Sequence, residues 1–149
     1  MSYPFNVRVY GLLIDNEHGV LLSDEEEYGF RFSKFPGGGL EYGEGLMEAL
    51  IREFKEECDA DVEVLAHFYT TDFFIKSVFN ESQVISVYYL VKPKSVLNLN
   101  FKTQAFDFDE EGDVKQTFRW RSLDELTAND VTFETDQRVI DLIIERYRS

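Results

Sequence analysis

Between Phe5 and Asp15 the chain alternates, with Phe5, Val7, Val9, Gly11 and Leu13 on one side and Asn6, Arg8, Tyr10 and Leu12 on the other. β-Branched and aromatic residues dominate, and the two-residue period predicts a strand. Asp15-Asn16-Glu17-His18-Gly19 is a turn signal, so residues 20–23 are expected to return as the second strand of a hairpin. Residues 24–28 read as an acidic loop, and residues 30–35 as a short strand delivering Gly37, Gly38 and Gly39. The period then changes to that of a helix over residues 46–59. Leu46, Leu50 and Phe54 form a row flanked by Met47 and Ile51, the expected core-facing stripe.

Residues 62–79 predict one long strand or two broken ones, carrying Tyr69, Phe73, Phe74 and Phe79. Asn80-Glu81-Ser82 is a turn, and residues 84–91 are a strong strand expected to pair back as a hairpin. The aromatic cluster is expected in the core, the common place for such side chains. Residues 92–114 are the least regular part and end in a run of acids. Residues 116–121 predict a strand, Ser122-Leu123-Asp124-Glu125 a capping box opening a short helix, and residues 135–147 a last amphipathic helix. Val139, Leu142, Ile143 and Tyr147 are its expected buried side. No repeat, low-complexity tract or linker interrupts the pattern. One domain over residues 1–149, a mixed sheet with a helix on each face, accounts for it.

Charge narrows the function. A net charge of −14 argues against nucleic acid or an anionic membrane as a direct partner. A small anionic substrate would also be repelled, unless a divalent cation inverts the local field. Cys58 is the single cysteine, so no intrachain disulfide is expected, and its place on the helix suits packing. No basic segment followed by an apolar run opens the chain and no span of ~20 apolar residues occurs, which makes the cytoplasm the expected location. His18 and His67 are given no role.

Glu53, Glu56 and Glu57 lie at i, i+3 and i+4 and converge on one helix face, with Ala49 leaving space one turn earlier and Lys55 turned to solvent. Carboxylates this close repel unless something positive sits among them. An all-oxygen set on one helix suits Mg²⁺ or Mn²⁺ rather than zinc. Alone, such a face is more often plainly solvated, with Arg52 placed four residues from both Glu48 and Glu56. The preceding glycine loop shifts that balance.

Gly38, five residues, Glu44, seven residues and then Arg52-Glu53-Phe54-Lys55-Glu56-Glu57 resemble the signature of the Nudix hydrolases. The signature continues with any residue, a glycine and an aliphatic residue, where this chain has Cys58, Asp59 and Ala60. The missing glycine bears on how the helix ends rather than on the chemistry, and Asp tolerates the left-handed conformation better than most residues. The resemblance implies an α/β/α sandwich with a mixed β-sheet between helices. It also implies metal-dependent cleavage of the diphosphate bond in a nucleoside diphosphate linked to another moiety. It places Glu56 and Glu57 as metal ligands, Glu53 as ligand or general base, the Gly37 carbonyl as a further ligand and Arg52 as the residue that holds the glutamates. Glu44 is expected to bind a second metal or orient water.

In that family a loop carboxylate outside the box often completes the site, and Glu110 and Glu111 are the candidates. Arg8 and Arg31 precede the box and are candidates for reaching a phosphate or base, though solubility explains them as well. Some members of that family that cleave ADP-ribose carry a proline a little past the box; here none lies between Pro36 and Pro93, so the resemblance counts weakly against ADP-ribose and leaves a nucleoside triphosphate or nucleotide sugar open. Two other readings stand beside hydrolysis: a non-catalytic nucleotide-binding sensor of the same fold, and an acidic interaction module without metal. Oligomeric state is left open, with a homodimer as one option.

Overall fold

The computed structural model describes residues 4–148. Its strands are β1 (Phe5–Asp15), β2 (Gly19–Glu27), β3 (Phe30–Lys34), β4 (Gly37–Gly39), β5 (Val62–Thr70), β6 (Gln83–Pro93) and β7 (Val114–Arg121). The helices are α1 (Leu46–Cys58) and α2 (Glu134–Tyr147), with a 3₁₀ turn at Ala128–Asp130. No helix among the described residues is long and apolar enough to cross a membrane. Residues 1–3, the start of the stretch read for a leader segment, lie outside the described residues.

The chain forms two compact units, and β1 passes from one to the other at Leu12–Leu13. The first unit contains the start of β1 with β4, α1, β5 and β6. The glycine stretch pairs antiparallel with β1 in the register Arg8–Gly39, Val9–Gly38 and Tyr10–Gly37. On its other side β1 neighbours β6, and β6 pairs antiparallel with β5 from Val62–Pro93 to Thr70–Val87, the expected hairpin. At Gly11 an added Cβ would strike the Phe54 ring, so glycine lets α1 lie directly on the strand.

Helix α1 buries Ala49, Leu50, Phe54 and Cys58, while Met47 and Ile51 are exposed. Leu50 and Phe54 of the expected row are buried and Leu46 is half-buried, while the expected flank of Met47 and Ile51 gives way to Ala49. The cause is Glu53, which packs against Gly38 and brings the acidic side of the helix inward. Asp59 ends α1 in the left-handed conformation, φ 47 and ψ 40. Its Cβ makes that conformation costly, so Asp59→Gly is expected to raise stability by about 1 kcal/mol. The matching rise in Tm, roughly 2–4 °C, would be read by thermal unfolding; no rise would contradict the strain.

The aromatic cluster departs from expectation. Phe74 and Phe79 are exposed, and Tyr69 and Phe73 only half-buried. The β5–β6 ladder stops at Thr70, and beyond it the chain is tied back by single contacts, Thr71 N to Ser86 O at 2.9 Å, Val84 N to Ile75 O at 2.8 Å and a Lys76–Gln83 bridge, so Phe73, Phe74 and Phe79 lie past the end of β5.

In the second unit β2 is central. It pairs antiparallel with β3 from Ser23–Lys34 to Glu27–Phe30, with β7 from Val20–Arg121 to Glu27–Val114, and with the end of β1 through Ile14–Val20. The expected acidic loop at residues 24–28 is mostly strand. Asp24 is fully buried, and its carboxylate accepts from Ser33 Oγ at 2.6 Å, Arg119 Nε at 2.7 Å and the Phe106 backbone N at 3.3 Å. Three donors, one of them the cationic Arg119, make an interior place for an acid that sequence alone assigns to solvent.

Residues 122–125 form a turn rather than a helix, because Glu125 is taken by Arg121 at 3.1 Å instead of capping Ser122. The capping contact occurs further along, where the Thr127 backbone N donates to Asp130 Oδ2 at 2.8 Å. Helix α2 buries Val139, Ile140 and Ile143 with Thr135 and Asp136; Leu142 is half-buried and Tyr147 exposed, against expectation. The irregular segment before β7 is pinned at several points. Lys102 Nζ donates to Asp109 at 2.6 Å, its backbone N to Phe118 O at 2.8 Å, and Tyr28 N to Asp113 O at 2.7 Å.

Candidate active site

All the residues of the glycine loop and of α1 lie in the first unit. The loop is fixed before the helix begins. Gly11 N donates to Pro36 O at 2.9 Å and Leu40 N to Val7 O at 2.9 Å, so both ends of the glycine stretch are tied to β1. An added Cβ at Gly38 would lie 2.7 Å from the Glu53 carboxylate. Only glycine lets strand and acid approach this closely. Glu48 accepts from Gly45 N at 3.1 Å and so closes the start of the helix; it is not a partner of Arg52.

Arg52 is the hub. Its Nε and Nη2 grip both oxygens of Glu44, at 3.0 and 2.6 Å, and Nη2 also donates to Gly39 O at 3.1 Å. Nη1 donates to Glu53 Oε1 at 3.1 Å and Glu56 Oε2 at 3.2 Å. One guanidinium thus links the glycine stretch, the following loop and two helix acids with geometry-fixed, charge-assisted bonds. Glu53 is mostly buried, at 13% exposure, and Glu56 mostly open, at 60%. Glu57 keeps other contacts, while its Oε2 is buried without a hydrogen-bond donor.

Arg52 is pushed further above its ordinary value, first by the Glu44 bond and then by Glu53 and Glu41, so it stays cationic. The same bond holds the Glu44 carboxyl below its ordinary 4.5, with the Glu41 backbone adding to the effect. A depressed carboxyl stabilises the fold above its unfolded pKa and loses that contribution as pH falls through the folded value. The stability gap between wild type and Glu44→Gln should therefore be full above pH 4.5 and close below it. Thermal unfolding from about pH 6 downward, where the carboxyl of either state is still ionised, measures it; a gap independent of pH would contradict the pairing.

Arg8 stands elsewhere. Successive strand residues face opposite sides. Gly38 faces Glu53, while Gly39 faces Arg8, whose Nη1 would lie 3.7 Å from an added Cβ. Arg8 Nε donates to Tyr10 Oη at 2.5 Å. Arg31 belongs to the second unit, paired with Glu26 at 2.8 Å and lying over Phe106 and Phe108. Glu110 and Glu111 are in that unit too. Glu110 Oε1 accepts from Gln116 N at 3.0 Å, whereas Glu111 has no partner among the described residues.

Among the described residues, the trio whose donor atoms lie within 4.8 Å of one another is Asp15, Glu17 and His18, in the β1–β2 turn. Asp15 there accepts from the backbone N of Glu17 and of His18, at 2.7 and 3.1 Å, and the His18 ring holds its carboxyl below the ordinary value. This is ordinary turn chemistry. The Gly39 carbonyl, an Arg52 acceptor, has no cue in the sequence, since a backbone group carries no residue signature.

Known proteins resemble this chain in sequence and in fold. An RNA pyrophosphohydrolase from Campylobacter jejuni strain 81-176 is 36% identical over 94 residues, covering 57% of this chain and 60% of the relative. One from a Nitratiruptor species is 33% identical over 84 residues, covering 52% and 54%. The aligned part is thus about 60% of the length of the first of these curated relatives. Among solved structures, the MutT protein of Methanosarcina mazei Go1 superposes with a TM-score of 0.69 at 18% identity, covering 98% of this chain and 96% of its own. A Nudix hydrolase from Nitrosomonas europaea gives 0.68 at 22% identity, covering 93% and 86%. The fold is the mixed-sheet, two-helix Nudix fold. The NUDIX domain family model matches residues 4–142, and the chain belongs to the Nudix family.

Proposed function

We propose that the chain works as one Nudix domain and hydrolyses, with Mg²⁺ or Mn²⁺, the diphosphate bond of a nucleoside diphosphate linked to another group. A nucleoside triphosphate or a nucleotide sugar is the substrate type favoured. The observation that carries this is the interlock of loop and helix, with Gly38 against the Glu53 carboxylate and Arg52 joining Glu44, Glu53, Glu56 and Gly39. The donor set of Glu53, Glu56, Glu57 and the Gly37 carbonyl is all oxygen and fits a hard divalent cation. Such an ion supplies neutralisation of phosphate oxygens and a lowered pKa for water.

The chain's own residues do the rest. Arg52 orients Glu53 and Glu56 through its Nη1 bonds, and Glu44 keeps Arg52 in place. Glu53 serves as ligand or as the base that accepts water's proton at a carboxylate oxygen. Glu110 and Glu111 belong to the other unit and are given no part in this site. Arg8 and Arg31 are not given substrate contacts: one is on the strand face away from Glu53, and both already hold local partners.

The RNA pyrophosphohydrolase relatives favour one second reading, in which RNA carries the diphosphate. The net charge of −14 opposes extended contact with RNA phosphates. The test is product release from nucleoside triphosphates, nucleotide sugars, dinucleoside polyphosphates, ADP-ribose and a 5′-triphosphorylated RNA, with Mg²⁺ or Mn²⁺ and with EDTA. EDTA-sensitive cleavage of one class identifies the substrate. Silence throughout, with nucleotide bound, would replace hydrolysis by the sensor role.

A further inference from the structure

Beyond Thr70 the single contacts of residues 71–76 carry the β5–β6 hairpin on as a narrower ribbon in the first unit. Ser77 N donates to Ser82 O at 2.9 Å and closes a turn over residues 77–82. Polar side chains hold that turn from within. Phe79 N donates to Ser77 Oγ at 3.0 Å, and Ser82 N to Asn80 Oδ1 at 2.8 Å. Side chains alternate along the outgoing arm, with Phe73, Ile75 and Ser77 half-buried and Phe74, Lys76 and Val78 exposed.

The outer side of this tip is apolar where a solvated turn would be polar. Phe74, Val78 and Phe79 are 70, 65 and 54% exposed, whereas turn positions ordinarily go to Gly, Pro, Asn, Asp or Ser. The turn's hydrogen bonds fix the backbone that carries them. Pro4 O accepts from Gln83 N at 3.1 Å, which brings the exposed Phe5 to the same end of the unit. Three rings more than half exposed offer on the order of 400 Å² of apolar surface, a size that marks an interaction site.

Charge says what the partner is. The chain carries −14, yet within residues 64–91 its charged side chains are Asp72, Lys76 and Glu81 alone, with His67 neutral. A second copy is therefore repelled least at this place. Lys76 Nζ stands 3.2 Å from Glu81 Oε2 with both side chains more than half exposed, so the patch shows one charge of each sign beside its rings. A two-fold contact sets such a patch against itself. We propose that the hairpin tip is an interface between two copies of this chain. Phe74, Val78 and Phe79 form its centre, and Lys76 of each copy meets the partner's Glu81 across the axis. Rings covered on both copies bury about 800 Å², the range of weak, transient interfaces. Dimers are accordingly expected at about 10 µM protein and above.

Sedimentation equilibrium of the full chain, from about 1 to 200 µM, tests this. Wild type should pass from monomer to dimer over that range. Phe74→Ser combined with Phe79→Ser should raise the dissociation constant by about tenfold or more, the scale of losing central contacts. Val96→Ser, at an exposed apolar position outside the ribbon, should leave it within about twofold. Lys76→Glu and Glu81→Lys should each weaken the dimer, because like charges then face each other across the axis. An equimolar mixture of those two variants should recover it, since the acids of one meet the lysines of the other. All the changes are at exposed positions, and thermal unfolding would confirm that each variant folds. Monomer at every concentration, a dimer indifferent to Phe74 and Phe79, or a mixture no stronger than its components would overturn the proposal. So would a monomer that binds phosphatidylcholine vesicles through Phe74 and Phe79, which gives the patch to a membrane instead.

Discussion

Glu53→Gln and Glu57→Gln should each lower kcat by more than ~100-fold, the scale of losing a general base or a catalytic metal's ligand. The exchange keeps volume and one carbonyl oxygen, so Arg52 can still donate to position 53 and the fold should survive. Melting temperature and far-UV circular dichroism would check that survival beside the kinetics. Glu53 is the more informative of the two. Its carboxylate touches the Gly38 backbone at a distance no Cβ would allow and is bonded to Arg52, so it is fixed by both loop and helix. Turnover within a few-fold of wild type in both variants would end the assignment of these roles. A loss of kcat that divalent metal in excess reverses would favour a ligand over a base.

The largest effect on stability is expected at Asp24. Removing this carboxylate leaves Arg119 buried without its anionic partner and strips an acceptor from Ser33 Oγ and Phe106 N. Breaking a buried ion pair from one side costs roughly 3–5 kcal/mol, a large share of the 5–15 kcal/mol that a domain has. Asp24→Ala should show that loss in urea unfolding. Asp24→Ala combined with Arg119→Met should recover part of it, because the orphaned charge is gone. A cost below about 1 kcal/mol for the single change would mean the cluster is solvated rather than interior.

Asp24 also shows where sequence reading stops. Strand β1, helix α1 and the β5–β6 hairpin were legible because each depends on local period and local turn chemistry. Asp24 sits in a run of acids that reads as solvent-loving, and the partner that takes it inside, Arg119, is 95 residues away. The turn of α1 that exposes Met47 and Ile51 has the same origin, a contact between Glu53 and Gly38 on an earlier strand. Phe74 and Phe79 were misplaced because hydrophobicity says what a ring prefers, not whether a second layer reaches it. In α2, Ile140 rather than Leu142 is buried, a rotation of the stripe that tertiary packing decides. At the site the motif named Arg52 and the three helix glutamates. It did not show Arg52 gripping both oxygens of Glu44, because rotamers are chosen by packing.

The acids of α1, and not another cluster, are expected to hold the divalent ion, and the proposed chemistry depends on that. Asp15, Glu17 and His18 are the natural competitor, since their donor atoms already lie within 4.8 Å of one another. A Mn²⁺ titration followed by electron paramagnetic resonance, on wild type, Glu57→Gln and Asp15→Asn, separates the two. Binding that Glu57→Gln weakens by about tenfold or more, as expected when an anionic ligand is lost, and that Asp15→Asn leaves unchanged is the predicted result. Binding lost in Asp15→Asn and kept in Glu57→Gln would contradict it.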